Sequence, residues 1–520
     1  MTARRSVFAA GIVLVLVATA CGSTVPRPSA PQAGAPGGGL SVPSGSATQT
    51  GSGDKGVGGA GAVGPGGGGA AISGGGPSGT GTTGGGSGGG PSGAGSGSAQ
   101  PAPANVPGVT PTTIYVGARY TKNQGAANSI IGAGGAGGSD ERSDYKAVID
   151  DINAHGGIGG RKVVPVYASV DATSNTPAEQ QRQADCAQWT QDNKVFVIFA
   201  GGNDIDEECA KKAGSLGLYG SLSGGTTLPE TFQQYPDYVE IVGMNLVRMG
   251  QTTVNGLASQ GYFGKGARIG LMTWDDPAYK EAMQKGYIAT LARHGLAPAT
   301  DPVYLTPPQT VQDMSNMSAQ VNAAVLKFSQ LGIDHVMMLD GATGGICGVG
   351  CMGFMFMRRA QSQQYFPRYG FNDNNVPAAG YAAGFYPAQE LKNSVAVGWD
   401  DFDKTYDAGW HVNQTREQCY ALMRKKGVDM SNINAQIAAL TACDELWFLR
   451  DAVNKLGNAP LTPANIVAAV NTFGTSYPST QTYGTAFSSS KHDGINLVRN
   501  YHWVDSCKCF RYTSGAYRPG

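Results

Sequence analysis

The chain is 520 residues long, with 79 glycines and formal charges that cancel, 37 basic against 37 acidic. A balanced chain with no basic block lacks the electrostatic footprint for nucleic acid or for a polybasic membrane patch. Its six histidines are scattered, which argues against a metal centre, and no cofactor is expected.

Arg4 and Arg5 precede an apolar run over residues 7–17, which gives way to Ala18-Thr19-Ala20-Cys21. A basic head, a short apolar run and small residues form the layout of a secretory signal, and the run falls short of the roughly 20 residues a membrane span needs. Its end resembles a bacterial lipoprotein box, with Ala18 where leucine is usual. On that resemblance residues 1–21 are a lipoprotein signal peptide and Cys21 becomes the lipidated first residue of the mature chain. The alternative is an ordinary cleaved signal with a chance cysteine. Residues 22–106 are almost entirely Gly, Ser, Ala, Pro and Thr, too poor in large apolar side chains to offset their ordering entropy. They read as a disordered tether with a mean reach of roughly 50 Å.

Beyond it, strand and helix patterns alternate. Residues 113–117 are β-rich, and a helix over 140–154 brings Tyr145, Val148, Ile149 and Ile152 to one face. Residues 162–167 read as a strand and 177–192 as a helix; 195–200 is a continuous apolar strand of the kind buried on both faces of a parallel sheet. A second series has strands at 268–272, 302–305, 335–339 and 368–371, separated by helices at 279–294, 315–331 and 352–363. A long helix over 433–456 and a β-rich tail over 497–504 close the chain, the tail suggesting a return crossing. Such alternation means βαβ units and parallel sheets, and two series with no linker mean two α/β lobes in one body.

Setting Cys21 aside leaves an even set of cysteines that would pair in an oxidising compartment: Cys186, Cys209, Cys347, Cys351, Cys419, Cys443, Cys507 and Cys509. Spacing suggests Cys186–Cys209 and Cys419–Cys443 between neighbouring helices, and Cys347–Cys351 across a glycine loop. Cys507 and Cys509 stay open, since a Cys-x-Cys bridge is strained and partners elsewhere are the alternative.

At Ile152-Asn153-Ala154-His155-Gly156-Gly157-Ile158-Gly159-Gly160-Arg161-Lys162, a helix end, a double-glycine turn and a strand entry follow one another. Gly156 and Gly157 supply a left-handed helix stop, and Gly159-Gly160 the turn into the strand. This run resembles the branched-chain amino acid binding proteins of ABC transporters, which have the type I periplasmic binding fold. The similarity extends through Asp171, the Gln/Ala-rich helix over 179–189, Val197-Ile198, residues 221–226 and the strand, loop and tyrosine of 271–279, and covers about 112–504. It implies two Rossmann-like lobes joined by three crossings, with the ligand in the cleft between them. Lobe 1 would comprise 107–245 and 400–490, lobe 2 246–399 and 491–520.

Ligands of open parallel sheets bind beyond the carboxyl ends of the strands. The cleft candidates are therefore Arg119, Tyr120, Gly202-Asn203-Asp204 and Ser223-Gly224-Gly225-Thr226 in lobe 1. In lobe 2 they are Trp274, Asp275, Tyr279, Asp340 and Asp373-Asn374. The resemblance implies that Ser223 and Thr226, with backbone N–H groups, hold a ligand carboxylate, that Asp373 holds its ammonium, and that Tyr279 is the cleft tyrosine. Gly202-Asn203-Asp204 departs from the family's run of serines, and Asp204 would repel a carboxylate unless it caps its own helix. For each residue the alternative is a helix cap or turn.

Gly348-Val349-Gly350-Cys351-Met352-Gly353 is formally a dinucleotide fingerprint, but a Cys347–Cys351 bridge would stiffen the loop against a pyrophosphate. The expectation is a non-enzymatic, monomeric, extracytoplasmic lipoprotein on the outer face of a bacterial cytoplasmic membrane. It would capture a small polar solute, an amino acid or related compound, for the membrane permease of an ABC importer. The alternatives are a solute sensor of the same fold and a tethered extracellular hydrolase.

Overall fold

The computed structural model describes residues 106–130, 132, 134–222, 227–342, 346–400 and 412–519. Cys21, residues 22–105 of the expected tether, and the loop carrying Ser223, Gly225 and Thr226 lie outside the described residues, while Val106, expected at the tether's end, is partly buried against the first core. The first sheet consists of β1 (Thr113–Lys122), β2 (Lys162–Asp171), β3 (Val197–Phe199), β4 (Leu216–Tyr219) and β5 (Tyr238–Glu240), all parallel, in the order β2-β1-β3-β4-β5. The second contains β6 (Ile269–Trp274), β7 (Val303–Leu305), β8 (His335–Leu339), β9 (Arg368–Asn372), β10 (Val395–Gly398), β11 (Arg499–Val504) and β12 (Cys509–Tyr512). Its order is β12-β11-β10-β9-β8-β6-β7, parallel except for the antiparallel pairings of β11 with β10 and β12. Its parallel part repeats the order of the first sheet, so each lobe is doubly wound with its own switch point, at β1/β3 and at β6/β8. Every residue of β3, β6 and β10 is buried, as helices on both faces of a parallel sheet require.

The glycine motif folds as its residues dictate. Helix Glu141–Ala154 buries Tyr145, Val148, Ile149 and Ile152. The Gly157 N–H donates to the Ile152 carbonyl at 2.9 Å and the Gly156 N–H to that of Asn153 at 3.4 Å, the two bonds of a Schellman stop. Gly157 has φ +78°, and a Cβ there would lie 1.9 Å from the Arg161 carbonyl oxygen. Ile158 and Arg161 then pair across Gly159-Gly160 to open β2.

The chain passes from β5 to β6 and from β10 to three helices, Gln414–Lys426, Ile433–Lys455 and Pro463–Asn471, which pack on the core of the first sheet. It then returns to β11 and β12 in the second core. The crossings run side by side. Asp400 bridges Thr482, and Glu240 bridges Asp493. The Asp493 carboxylate accepts from the Asn245 N–H at 3.0 Å and from the Arg248 guanidinium at 2.6 Å. Four disulfides are present among the described residues: Cys186–Cys209, Cys347–Cys351, Cys419–Cys443 and, for the pair the sequence leaves open, Cys507–Cys509.

Candidate functional site: the cleft between the two sheets

A cavity at the carboxyl ends of the parallel strands is lined from the first lobe by Leu222, just after β4, and Ile437, on helix Ile433–Lys455. The second lobe contributes Val349, Val376-Pro377-Ala378-Ala379, Asp373 and Tyr501, and Asp400 lies at the crossing that follows β10. The wall is apolar, with two carboxylates and a phenol as its polar groups, and no cationic side chain is among the described lining residues. Its volume is about 30 Å³. That is room for about one water, so a solute enters only if the lobes part or repack. A larger hollow of about 630 Å³ lies at the opposite ends of β9 and β10, around Phe366, Lys392 and His502. It is open and formed by one lobe alone, and its Arg368 is committed to the carbonyls of Asn393 and Tyr262. The interlobe cavity is therefore the candidate site.

The segment after β9 is fixed by a run of buried polar residues. The Asn372 amide donates to Thr253 Oγ1 at 3.0 Å and Tyr287 Oη at 3.1 Å, while its oxygen accepts from the Asn374 N–H. The Asp373 carboxylate accepts from the backbone N–H groups of Trp399 and Asp400, the latter at 2.7 Å, and from the Tyr501 hydroxyl at 2.7 Å. Three donors thus converge on the acid expected to hold an ammonium. Asp373 lines the cavity, but its carboxylate ties β9 to the start of the second crossing and to β11. Val376 follows with φ +41°, a costly conformation for a β-branched residue. It is wedged against Gly350, where a Cβ would lie 2.4 Å from Val376 Cγ2. The Cys347–Cys351 bridge staples the loop that presents Val349.

Trp274, Tyr279, Asp340 and Asn374 come together, but behind the cavity wall, all at 0% exposure. The Trp274 indole N–H donates to the Gly341 carbonyl at 3.1 Å, the Tyr279 hydroxyl to that of Ala342 at 3.2 Å, and the Asn374 amide to that of Asp340 at 3.3 Å. Gly341 is required there, because a Cβ would lie 2.4 Å from Tyr279 Oη. The Asp340 carboxylate accepts from the Gly341 N–H at 2.8 Å and the Gly353 N–H at 3.2 Å. It therefore caps helix Cys351–Ser362, whose N-terminus a dinucleotide would need for its pyrophosphate. Burial pushes Asp340 up to about 7 despite those donors.

The lobe 1 candidates serve their own lobe. Asn203 caps helix Asp204–Ala213 by accepting the Asp206 N–H at 3.1 Å, and Asp204 is the exposed first residue of that helix. Arg119 makes two bonds of 2.7 Å to Asp206 and one of 2.7 Å to Asp185, and lies against the Trp189 ring. Tyr120 is half-buried at the end of β1, edge-on to Tyr167 and under Arg142, outside the described cavity lining. Asp275 pairs with Lys280. The lining residues that sequence reasoning missed are Leu222, Val349, Val376 to Ala379, Asp400, Ile437 and Tyr501. Tyr501 was within reach of a rule, since it lies in the tail strand that crosses back.

No family model matches the chain, and no curated protein matches it. Solved structures do. The ABC transporter substrate-binding protein from Desulfitobacterium hafniense in complex with Leu superposes with a TM-score of 0.50 at 15% identity, covering 77% of this chain and 99% of that one. LivJ from Streptococcus pneumoniae, a branched-chain amino acid transporter substrate-binding protein in complex with isoleucine, gives 0.51 at 13%, covering 78% and 100%. A solute-binding protein of an ABC transporter from R. palustris in complex with 4-hydroxybenzoate gives 0.53 at 14%, covering 78% and 97%. With two doubly wound lobes and a cavity between their strand ends, the chain has the type I periplasmic binding fold of these solved structures.

Proposed function

We propose that this chain is an extracytoplasmic solute-binding protein that captures a small solute by closing two lobes over it, and that it serves an ABC importer. The observation that carries the reading is the cavity at the facing strand ends, with Leu222 and Ile437 on one side and Val376 to Ala379 on the other. A solute there would touch both lobes only in the closed form, so its binding energy favours closure. The apolar wall favours a ligand with a hydrocarbon body, and Asp400 favours one that also carries donors, as an amino acid does. The similar solved structures are complexes with Leu, isoleucine and 4-hydroxybenzoate, and an apolar wall suits the hydrocarbon body of each. Ser223 and Thr226 are retained as the proposed partners of a ligand carboxylate. Lobe 1 is proposed as 107–245 with 400–490, and lobe 2 as 246–399 with 491–520.

Lipidation at Cys21 would hold the protein at the outer face of the membrane by a long glycine-rich tether. No helix among the described residues is long and apolar enough to cross a membrane. Native mass spectrometry of protein purified after export tests the reading. A 1:1 complex with a small solute that is lost on unfolding is expected, whereas chemical turnover of that solute would overturn it. For the anchor, Cys21→Ser should leave the membrane fraction, because stable anchoring depends on the acyl chains; a variant still firmly membrane-bound would refute lipidation.

A further inference from the structure

The four disulfides are of two kinds. Cys186–Cys209 and Cys419–Cys443 join separate helices across 23 and 24 residues of sequence, and Cys347–Cys351 holds a cavity loop. Five of these six cysteines are buried, and Cys186 is half-buried. Cys507–Cys509 differs in span, place and exposure of its first sulfur. It spans two residues, sits on the turn between β11 and β12, and has Cys507 exposed and Cys509 half-buried.

The hairpin holds without it. Four residue pairs form the β11–β12 ladder, ending in Trp503↔Phe510 and Val504↔Cys509. The Trp503 and Phe510 rings meet edge-on at 5.3 Å, and Lys508 Nζ donates to Asp505 Oδ1 at 2.5 Å across the turn. A bridge closing so small a loop removes the least entropy from the unfolded chain, so stability leaves it unexplained. Exposed disulfides are the ones that exchange, because a thiolate must reach the sulfur. The Lys508 ammonium, next in sequence to both cysteines, favours a departing thiolate.

We propose that Cys507–Cys509 is a thiol–disulfide exchange site, separate from solute binding, whose reaction partner is a dithiol. One partner thiolate attacks Cys507 Sγ, the more exposed sulfur. The intramolecular S–S bond breaks as the mixed disulfide forms, and Cys509 leaves as a thiolate. The partner's second thiolate then attacks its own sulfur in the mixed disulfide and releases Cys507 as a thiolate. Two electrons pass to this chain, the partner becomes a disulfide, and the two protons from its thiols end on Cys507 and Cys509.

The test equilibrates the full chain with graded ratios of reduced to oxidised dithiothreitol, quenches with acid, alkylates and maps the labelled cysteines by mass. Cys507 and Cys509 should be labelled at a ratio at least about ten-fold lower than the first of the other six. Labelling together with, or after, the buried bridges overturns the proposal. Cysteine, a monothiol, should trap a mixed disulfide at Cys507; one at Cys509 overturns the order of attack. Lys508→Gln, which also removes the exposed pair with Asp505, should slow reduction several-fold, lower the melting temperature only slightly and leave solute affinity unchanged; an unchanged rate overturns the role given to the lysine. The Cys507→Ser/Cys509→Ser double variant should melt as wild type does, and a large fall would make the bridge structural instead.

Discussion

Asp373 is where a ligand role and a structural role separate most cleanly. Its Oδ2 accepts the backbone N–H groups of Trp399 and Asp400, and its Oδ1 the Tyr501 hydroxyl. In Asp373→Asn the amide oxygen can keep both N–H groups, and the Tyr501 hydroxyl can turn to accept from Nδ2. The donors lose a charged acceptor, the difference between about 1.5–3 and about 0.5–1.5 kcal/mol per bond, so the variant should be less stable by about 2 kcal/mol. Asp373→Ala strands all three buried donors and should cost about 3–6 kcal/mol, while Tyr501→Phe should cost about 1.5 kcal/mol. Equilibrium urea unfolding, followed by tryptophan emission, reads these as ordered shifts of the midpoint. The reasoning is refuted if Asp373→Asn unfolds at the wild-type midpoint while its solute affinity collapses, which would place the carboxylate on a ligand ammonium.

Arg119→Gln should destabilise the protein by about 3–5 kcal/mol, because Asp206 and Asp185 lose a buried partner, and solute affinity in the folded fraction should be unchanged; denaturation and calorimetry together check it. Burial pushes Glu445 and Glu240 up to about 8, so the folded state holds protons that the unfolded state has released. Their contribution is complete below about pH 4.5 and is lost as pH rises toward 8, so unfolding midpoints should fall across that window, and Glu445→Gln should flatten the fall. Gly157→Ala, which would place a methyl group against the Arg161 carbonyl, should lower the melting temperature more than Gly156→Ala, whose Cβ meets nothing within 4 Å. Alkylation of the denatured, unreduced protein should find all eight cysteines beyond Cys21 blocked, as the four bridges require.

What could be read from the sequence was what local rules control. The apolar run at 195–200, the helix face of Tyr145 to Ile152 and the glycine stop at Gly156-Gly157 all depend on neighbours in sequence, and each forms as its pattern predicts. Helix Leu246–Ser259 went unread although Leu246, Met249, Gly250, Thr253 and Leu257 recur at helical spacing on its buried face, because the Gly, Thr and Asn between the large residues are weak helix formers. Helix Gln414–Lys426 buries only four of its residues, which left too weak a period. The cleft was harder. The rule of strand ends led to the right loops, yet within a loop the residue that faces the cavity is chosen by packing. Trp274, Tyr279 and Asp340 follow their strands as expected but point into the core, where Gly341 leaves space for the Tyr279 hydroxyl. Apolar lining residues such as Leu222 and Ile437 carry no chemical signature in sequence. Asn203 shows the opposite limit, since a cap and a ligand contact ask for the same side chain.

The central claim is that a solute is held between the lobes, and a calorimetric titration of wild type and Ala379→Phe against a panel of amino acids and aromatic acids tests it most directly. Ala379 lies at the cavity wall, so a phenyl ring there should obstruct closure over a ligand while leaving the cores of both lobes intact. The account predicts one solute per wild-type chain and an affinity at least about ten-fold weaker in the variant, about 1.4 kcal/mol. A solute that binds both proteins equally well would contradict it.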